Sequence, residues 1–447
     1  MSSKILSITL NLILVSVILH GCKKFLDIKP DKSLTTINNL EDLQSLLDNT
    51  SLTMTTNLQD IISDDYYLPT ETFNTLKSDA RDAYIWDPAS NGILNWKYNY
   101  QTIRVCNVVL SELKNLNSNN LDNFNSIKGQ ALMKRAFSFF LLSQIFAPPL
   151  TDSTKELLSI PLRLLPDIEK NYPRSTVAET YEQIIKDLKE AIQLLPSYGE
   201  TMNRPDKANT SALLARVFLS IRDYQNALIY SNQYLETNEK LIDYNNLDPN
   251  ASSPIPPYNE EICYNIITDG ALWTLRGANI DSNLIESYDS MDLRKKIFFE
   301  NKINGVYTFR GNYGSNGNFS AFAGITVSEM ILIKAECLAR KGDSTLALDE
   351  LNKLLIKRFV LGSFKPITLP TSGGLIQKVL QERRKELIFR SVRWSDIRRL
   401  NLEGKNIILT RLVDGSIYQL APNDLRYTWI IPNEIMALNP SWEQNKR

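Results

Sequence analysis

The chain has 447 residues, 50 basic against 50 acidic side chains, and a single histidine, His20. That length suffices for a large core and, by itself, for two or three domains. Balanced charge provides no global pull toward nucleic acid or an anionic membrane, and a body lacking His20 has no Ser-His-Asp triad, Cys-His pair or imidazole zinc site.

The first segment accounts for that histidine. Lys4 precedes an apolar run from Ile5 to Leu19. A membrane span needs about 20 apolar residues; this run is shorter and reads as an export signal. Leu19-His20-Gly21-Cys22 has the form of a bacterial lipobox, with cleavage before Cys22 and acylation of its thiol. Residues 1–21 are then a lipoprotein signal peptide; the plainer alternative is an ordinary signal peptide with a chance cysteine. One acyl chain holds a protein weakly and two or more hold it stably. No later stretch reaches spanning length without charges. The expectation is a soluble body on a lipid tether, facing the outside of the cell.

Residues 50–97 contain "SDDYYLPTE" and "YIWDPASNG", which have no long helical period. Asp64 and Asp65 suit a glycosidase pair or a calcium ion by residue type, but adjacent aspartates in a loop are more often solvated turn residues. Helical periodicity then takes over. One apolar face carries Ile103, Cys106, Val109, Leu110, Leu113 and Leu116. Another carries Leu132, Ala136, Phe139, Phe140, Ser143 and Phe146, and stops at Pro148-Pro149. Thr176 and Glu179 form a capping-box pair opening a helix that ends near Pro196.

Segments 212–235 and 332–355 align without a gap: Ala215 with Ala335, Asp223 with Asp343, Ala227-Leu228 with Ala347-Leu348. Small residues facing each other across a tight turn are the mechanics of a tetratricopeptide-like hairpin. Between these segments, residues 236–325 are rich in Asn, Pro, Gly, Ser and aromatics. Long loops of this kind are usually functional or disordered, and the aromatics argue against disorder. Cys106, Cys263 and Cys337 are odd in number and far apart, so neither a CxxC site nor a dense disulfide framework is expected. Cys106 and Cys337 read as buried free thiols. No phosphate loop, dinucleotide fingerprint or EF-hand spacing occurs. The basic stretch "RRKELIFRSVRWSDIRR" (383–399) reads as a solvated helix face with local pairs such as Glu386 to Arg390.

Several motifs together resemble the SusD/RagB family of outer-membrane nutrient-binding lipoproteins from Bacteroidetes. Cys22-Lys23-Lys24-Phe25-Leu26-Asp27 is similar to the family's mature start. "MKRAFSFFLLSQIFAPP" and "ITVSEMILIKAECLARKGD", with Ala335-Glu336 and Gly342, are similar to two of its helices. Glu382, Arg383, Arg384, Glu386, Leu387, Arg393, Trp394, Asp396 and Arg398 fall on its Glu-Arg-Arg-x-Glu-Leu…Arg-Trp-x-Asp run. "WIIPNEIMALNPSWEQN" resembles its terminal segment. The chain departs at Arg390-Ser391-Val392, where the family usually has an acidic residue, a glycine and a basic or His residue. That puts the turn geometry there in question.

The resemblance implies a mainly α fold: tetratricopeptide-like helical hairpins forming a superhelical scaffold, with long irregular loop-rich excursions. The hairpins fall near 98–146, 176–235 and 326–360, the excursions near 50–97 and 236–325, and the family motifs at 380–447, all in one domain from 22 to 447. It further implies a lid on a SusC-like TonB-dependent outer-membrane transporter. Such a lid takes up oligosaccharides or, in some members, peptides, without cofactor or catalysis. Sugar rings have apolar faces and polar edges, so a site needs aromatic platforms with aimed polar groups. Position in the excursions nominates Trp86, Trp273, Tyr66 and Tyr67 as platforms and Asp64, Asp65 and Arg276 as polar partners; packing within a loop's own core is the alternative for each aromatic. Trp394, Trp429 and Trp442 go to the scaffold, and Trp96 to the core. The rival functions are a helical-repeat scaffold for protein assembly and a carboxylate-based glycosidase.

Overall fold

The helices stop and start where local chemistry requires it. The computed structural model describes residues 37–116, 120–167, 170–269, 277–302, 305–314, 321–368 and 372–447. The signal segment, Cys22, Trp273 and Arg276 lie outside the described residues. In chain order the longer helices are α1 (Leu40–Leu47), α2 (Ile93–Glu112), α3 (Leu121–Phe146), α4 (Val177–Leu194), α5 (Lys207–Ser220), α6 (Tyr224–Leu235), α7 (Val327–Lys341), α8 (Ser344–Leu355), α9 (Ser372–Glu386) and α10 (Arg393–Asn401). The capping box opens α4: Thr176 Oγ1 accepts from Glu179 N–H at 3.1 Å, and the Glu179 carboxylate accepts from Thr176 N–H at 2.8 Å. α3 ends at Phe146, because Ala147 precedes Pro148 and is forced into extended backbone.

The two matched segments have matching geometry. Arg222 and Gly342 occupy the same place after α5 and α7, both left-handed, at φ 64° and 97°. Asp223 N–H reaches Phe218 O, and Asp343 N–H reaches Leu338 O, each at 3.0 Å. This is the same helix-closing turn in both. Ala215, Ala227, Ala335 and Ala347 are fully buried, so the paired helices approach closely. Packing runs from α2 through α3, α4 and α5 to α6, then to α7, which also packs on α8 and α9. The fold is thus mainly α and built of packed helix pairs.

One helix differs from its sequence pattern. The spacing in α3 suggests a single apolar face, yet every residue from Gly129 to Phe146 is buried. α2 and α4 cover two sides of it. Further along, Arg398 and Trp429 hydrogen-bond to its last turn. The cations inside it are therefore partnered: Arg135 donates to both oxygens of Asp187 at 2.8 and 2.9 Å, and Lys134 donates to Asn203 O and the Tyr264 hydroxyl.

Short strands stitch the two excursions together. β1 (Met54–Thr56) runs parallel to β4 (Ile267–Asp269), and β2 (Tyr66–Tyr67) pairs antiparallel with β5 (Asn279–Ile280). β3 (Ile262–Tyr264) pairs with Ile325–Thr326 at the start of α7. The loop-rich segments thus form one layer attached to the helical frame.

The 383–399 stretch overturns its sequence reading. It is buried, not solvated: Arg383, Lys385, Glu386, Arg398 and Arg399 are all under 5% exposed. Glu386 does not pair with Arg390. It takes Arg358 at 2.8 Å and Arg294 at 3.2 Å. Arg294 also holds Asp292 and Glu382, and Arg358 also holds Glu261. Arg399 bridges Glu336 and Asp396, and Arg216 grips Glu329. Arg390 instead lies over the Tyr313 ring at 3.5 Å. Local spacing suggested the i,i+4 pair, but the chain turns out of helix after Glu386 and separates the two residues.

Two outcomes test this description. Gly342→Ala meets no atom within 4 Å, so its cost is conformational alone; urea unfolding is expected to show a loss of about 1–2 kcal/mol. Glu386→Ala leaves two buried guanidiniums short of a partner, and the expected loss by the same measurement is about 3–5 kcal/mol.

Candidate functional site

The excursion layer and the helical frame enclose a cleft of about 380 Å³. It begins at Thr56, the last residue of β1, and ends across from it at Asp269, the last residue of β4; the two are register partners. Its floor is apolar: Leu58, Ile61, Ala83 and Trp429. Gly92 permits this floor to close up. Its φ is 58°, and a Cβ there would meet Leu58 at 3.1 Å and Trp429 at 3.5 Å. The mouth carries Lys77, Asp79 and Leu94, all exposed.

Polar groups come from the first turns of α2. Asn95 Nδ2 donates to Thr56 Oγ1 at 3.0 Å. Tyr98 donates its hydroxyl to the exposed Asp269 carboxylate. That bond, with some burial, pushes the Tyr98 hydroxyl up to about 12, so it stays a donor at any ordinary pH. The cleft thus combines an apolar floor, an aromatic edge at Tyr98, and charged groups at its rim and mouth in Asp269, Lys77 and Asp79.

The residues nominated from sequence mostly stand elsewhere. Trp86 is fully buried and donates Nε1–H to Ile62 O at 2.9 Å, under the Arg411 guanidinium. Tyr66 is 1% exposed and bonds Ile61 O. Burial takes both out of reach of a ligand, which corrects their assignment as platforms. Asp64 and Asp65 are neither solvated nor free. Arg393 clamps Asp64 through Nε and Nη2 at 2.7 and 2.8 Å, and Arg384 reaches Asp65 at 3.0 Å. Burial would raise the Asp64 carboxyl, but the two guanidiniums outweigh it and hold it well below the usual range. A carboxylate so clamped is a poor general acid or nucleophile. Tyr67 remains on the surface, 41% exposed. Trp273 and Arg276 follow Asp269 in the chain and lie outside the described residues.

Tyr98, Asn95, Asp269 and Lys77 were missed. Tyr98 and Asn95 sit on an α2 pattern that reads as scaffold, and Asp269 joins them only through a strand pairing between distant segments. The one available signal was the polar run Asn95-Trp96-Lys97-Tyr98-Asn99 opening a helix. Trp96 itself packs in the core against Tyr100 and Phe146. Cys106, Cys263 and Cys337 are buried free thiols. Among the described residues no cluster of His, Cys, Asp and Glu is placed to hold a metal ion, and no helix is long and apolar enough to cross a membrane.

The departure at Ser391 is also resolved. Phe389 and Ser391 are left-handed, at φ 50° and 55°. Asp60 holds the turn: it accepts from Ser391 N–H at 2.9 Å and from its hydroxyl at 2.7 Å. A glycine would adopt this backbone freely; the serine is kept there by its carboxylate partner.

Two family models cover nearly the whole chain: one described as "Starch-binding associating with outer membrane" over residues 24–219, and the SusD family over 225–444. The chain belongs to the SusD/RagB family. It is 25% identical over 378 residues to SusD-like protein P2 of Formosa agariphila, covering 70% of this chain and 72% of that one. Among solved structures, a putative sugar binding protein from Bacteroides vulgatus matches with TM-score 0.75 and 24% identity over 92% of this chain and 99% of its own. A SusD superfamily protein from Bacteroides thetaiotaomicron matches with TM-score 0.75 and 21% identity, covering 92% and 100%. At these identities the structural matches speak for the fold.

Burial pushes the Asp60 carboxyl up to about 7, against the Ser391 hydrogen bonds. Its folded value exceeds the ordinary 3.8, so the folded chain holds the extra proton between them. Asp60 thus adds stability below about pH 4 and loses that contribution as pH rises to about 7. Comparing wild type with Asp60→Asn across this window by denaturation, the wild-type advantage is expected to fall by up to roughly 1.4 kcal/mol per pH unit and then level off.

Proposed function

We propose that the protein is a lipid-anchored, cell-surface lid that binds a nutrient oligosaccharide in the Tyr98–Asp269 cleft and passes it to a SusC-like TonB-dependent transporter. The observation that carries this reading is the cleft itself: an apolar floor ringed by aimed polar groups, built where both excursions meet. The family descriptions and the sugar-binding name of the Bacteroides vulgatus relative support a glycan over a peptide. Residues 22–447 act as one domain, and the helix pairs serve as a tetratricopeptide-like scaffold whose surface meets the transporter. Cys22 carries the anchor in the outer membrane, so capture happens beside the transporter at high effective concentration. A weak site then suffices and release stays easy. Trp273 and Arg276 remain the sequence's candidates for platform and polar partner, and Tyr67 offers an outer contact.

Calorimetry against a panel of host and plant polysaccharides and of peptides tests the reading. A glycan is expected to bind. Tyr98→Phe and Trp273→Ala should each weaken it about tenfold or more, as loss of a ligand hydrogen bond or stacking face would. Trp86→Ala should instead unfold the loop layer. Unchanged affinity in both cleft variants, peptide binding in place of glycan, or release of sugar product by the purified protein would sink the proposal.

A further inference from the structure

We propose a second binding cleft, separate from the first, that takes small molecules carrying a carboxylate on an apolar body. It lies where the loop after α3, the end of α10 and two C-terminal stretches converge, and its volume is about 470 Å³. That is the size of a small-ligand pocket. It shares no lining residue with the Tyr98–Asp269 cleft. Pro148, Leu402 and Tyr427 line apolar walls. Leu157 and Leu425 stand at 49% and 60% exposure, leaving apolar surface open.

Charge sets its chemistry. Arg174 and Arg398 both line the cleft, at 7% and 4% exposure. Among the described residues neither has a carboxylate within ion-pair distance. Asp424 also lines the cleft, but Arg426 holds both its oxygens, at 3.0 and 2.8 Å. Glu443 gives Arg174 only its backbone carbonyl, at 2.6 Å. Arg398 spends its terminal nitrogens on Gln144 O and Ala147 O, closing the end of α3. Its Nε is buried and has no partner.

That unpartnered nitrogen belongs to the edge this protein uses for carboxylates. Arg135 grips Asp187, Arg216 grips Glu329 and Arg393 grips Asp64, each with Nε and Nη2 together. On Arg398 the same edge is half used. Burial already pushes the Arg174 and Arg398 guanidiniums down to about 10, the mark of cations short of a counter-charge. A ligand carboxylate supplies both the missing acceptor and the missing charge, with its apolar body against the proline and leucine walls. A neutral sugar supplies no charge, which separates this cleft from the first.

The probe is 3-phenylpropionate, compared with its uncharged amide by calorimetry and ligand-observed NMR on the full-length protein. The acid is expected to bind about tenfold tighter than the amide, and a co-crystal should place its carboxylate against Arg398 Nε. Replacing Arg398 would uncap α3, so the variant is Leu425→Glu, which sets a negative charge at an already exposed mouth position. It should weaken the acid about tenfold more than the amide, which loses only the apolar contact, and leave the melting temperature unchanged. Equal affinity for acid and amide, no binding of the acid at millimolar concentration, or full acid affinity in Leu425→Glu would each overturn the proposal. None of these outcomes depends on the glycan cleft.

Discussion

The structure depends on a buried web of arginines and carboxylates centred on α9 and the turn after it. Taking an ion out of water costs several kcal/mol. Buried guanidiniums therefore persist only where carboxylates meet them at good geometry. Here the geometry is mostly two-pronged, as in Arg294 on Asp292 and Arg399 on Glu336. Such forks are directional, unlike apolar contacts. They specify which segment lies against which. Arg358 ties α9 to the residue just before β3 through Glu386 and Glu261. Arg384 and Arg393 tie α9 and α10 to the first excursion through Asp65 and Asp64. One short stretch of chain thus anchors both excursions to the frame.

The excursions need that anchoring. Strands of two or three residues have no independent stability in water, and loops expose carbonyls that must find donors. The ion web supplies fixed points, and the strand pairs between excursions exploit them. The cleft is accordingly precise although loops form most of it. Its upper wall at Tyr98 stands on α2, its rim at Asp269 on a paired strand, and its floor at Trp429 bonds Ile145 O of α3 at 2.8 Å.

Local features were legible in the sequence and distant ones were not. The capping box at Thr176, the stop at Pro148 and the matched turns at Arg222 and Gly342 are encoded within a few residues of where they act. Apolar periodicity found the helices because burial imposes it. The 383–399 stretch misled because sequence shows only the pairs a helix brings together locally, whereas Glu261, Asp292 and Asp64 arrive from far away. The apolar run Leu387-Ile388-Phe389 amid those charges was the sign of burial. The same limit explains the site. Trp86 and Tyr66 looked like platforms because an aromatic in a loop carries no mark saying which side faces in. Asp269 could not be joined to Tyr98 without the β1–β4 pairing.

A second class of arginine completes the design and differs from the first in charge. Arg411 donates to the carbonyls of Ser63 and Tyr66 while lying over Tyr84 and Trp86. Arg447 donates to the carbonyls of Asp87, Pro88 and Ser90 and lies over Trp429. A guanidinium has five donors, so one side chain satisfies several loop carbonyls that no helix or sheet could reach. These arginines fasten the 61–66 and 87–90 turns, and the second of these leads directly into Gly92 and the cleft wall. Carboxylate-paired arginines are neutral as pairs, and their work is finished within the fold. Carbonyl-bound arginines keep their charge, with aromatic faces as partial compensation. Arg398 belongs to this second class: it donates to the carbonyls of Gln144 and Ala147 and so closes the end of α3 from a distant part of the chain.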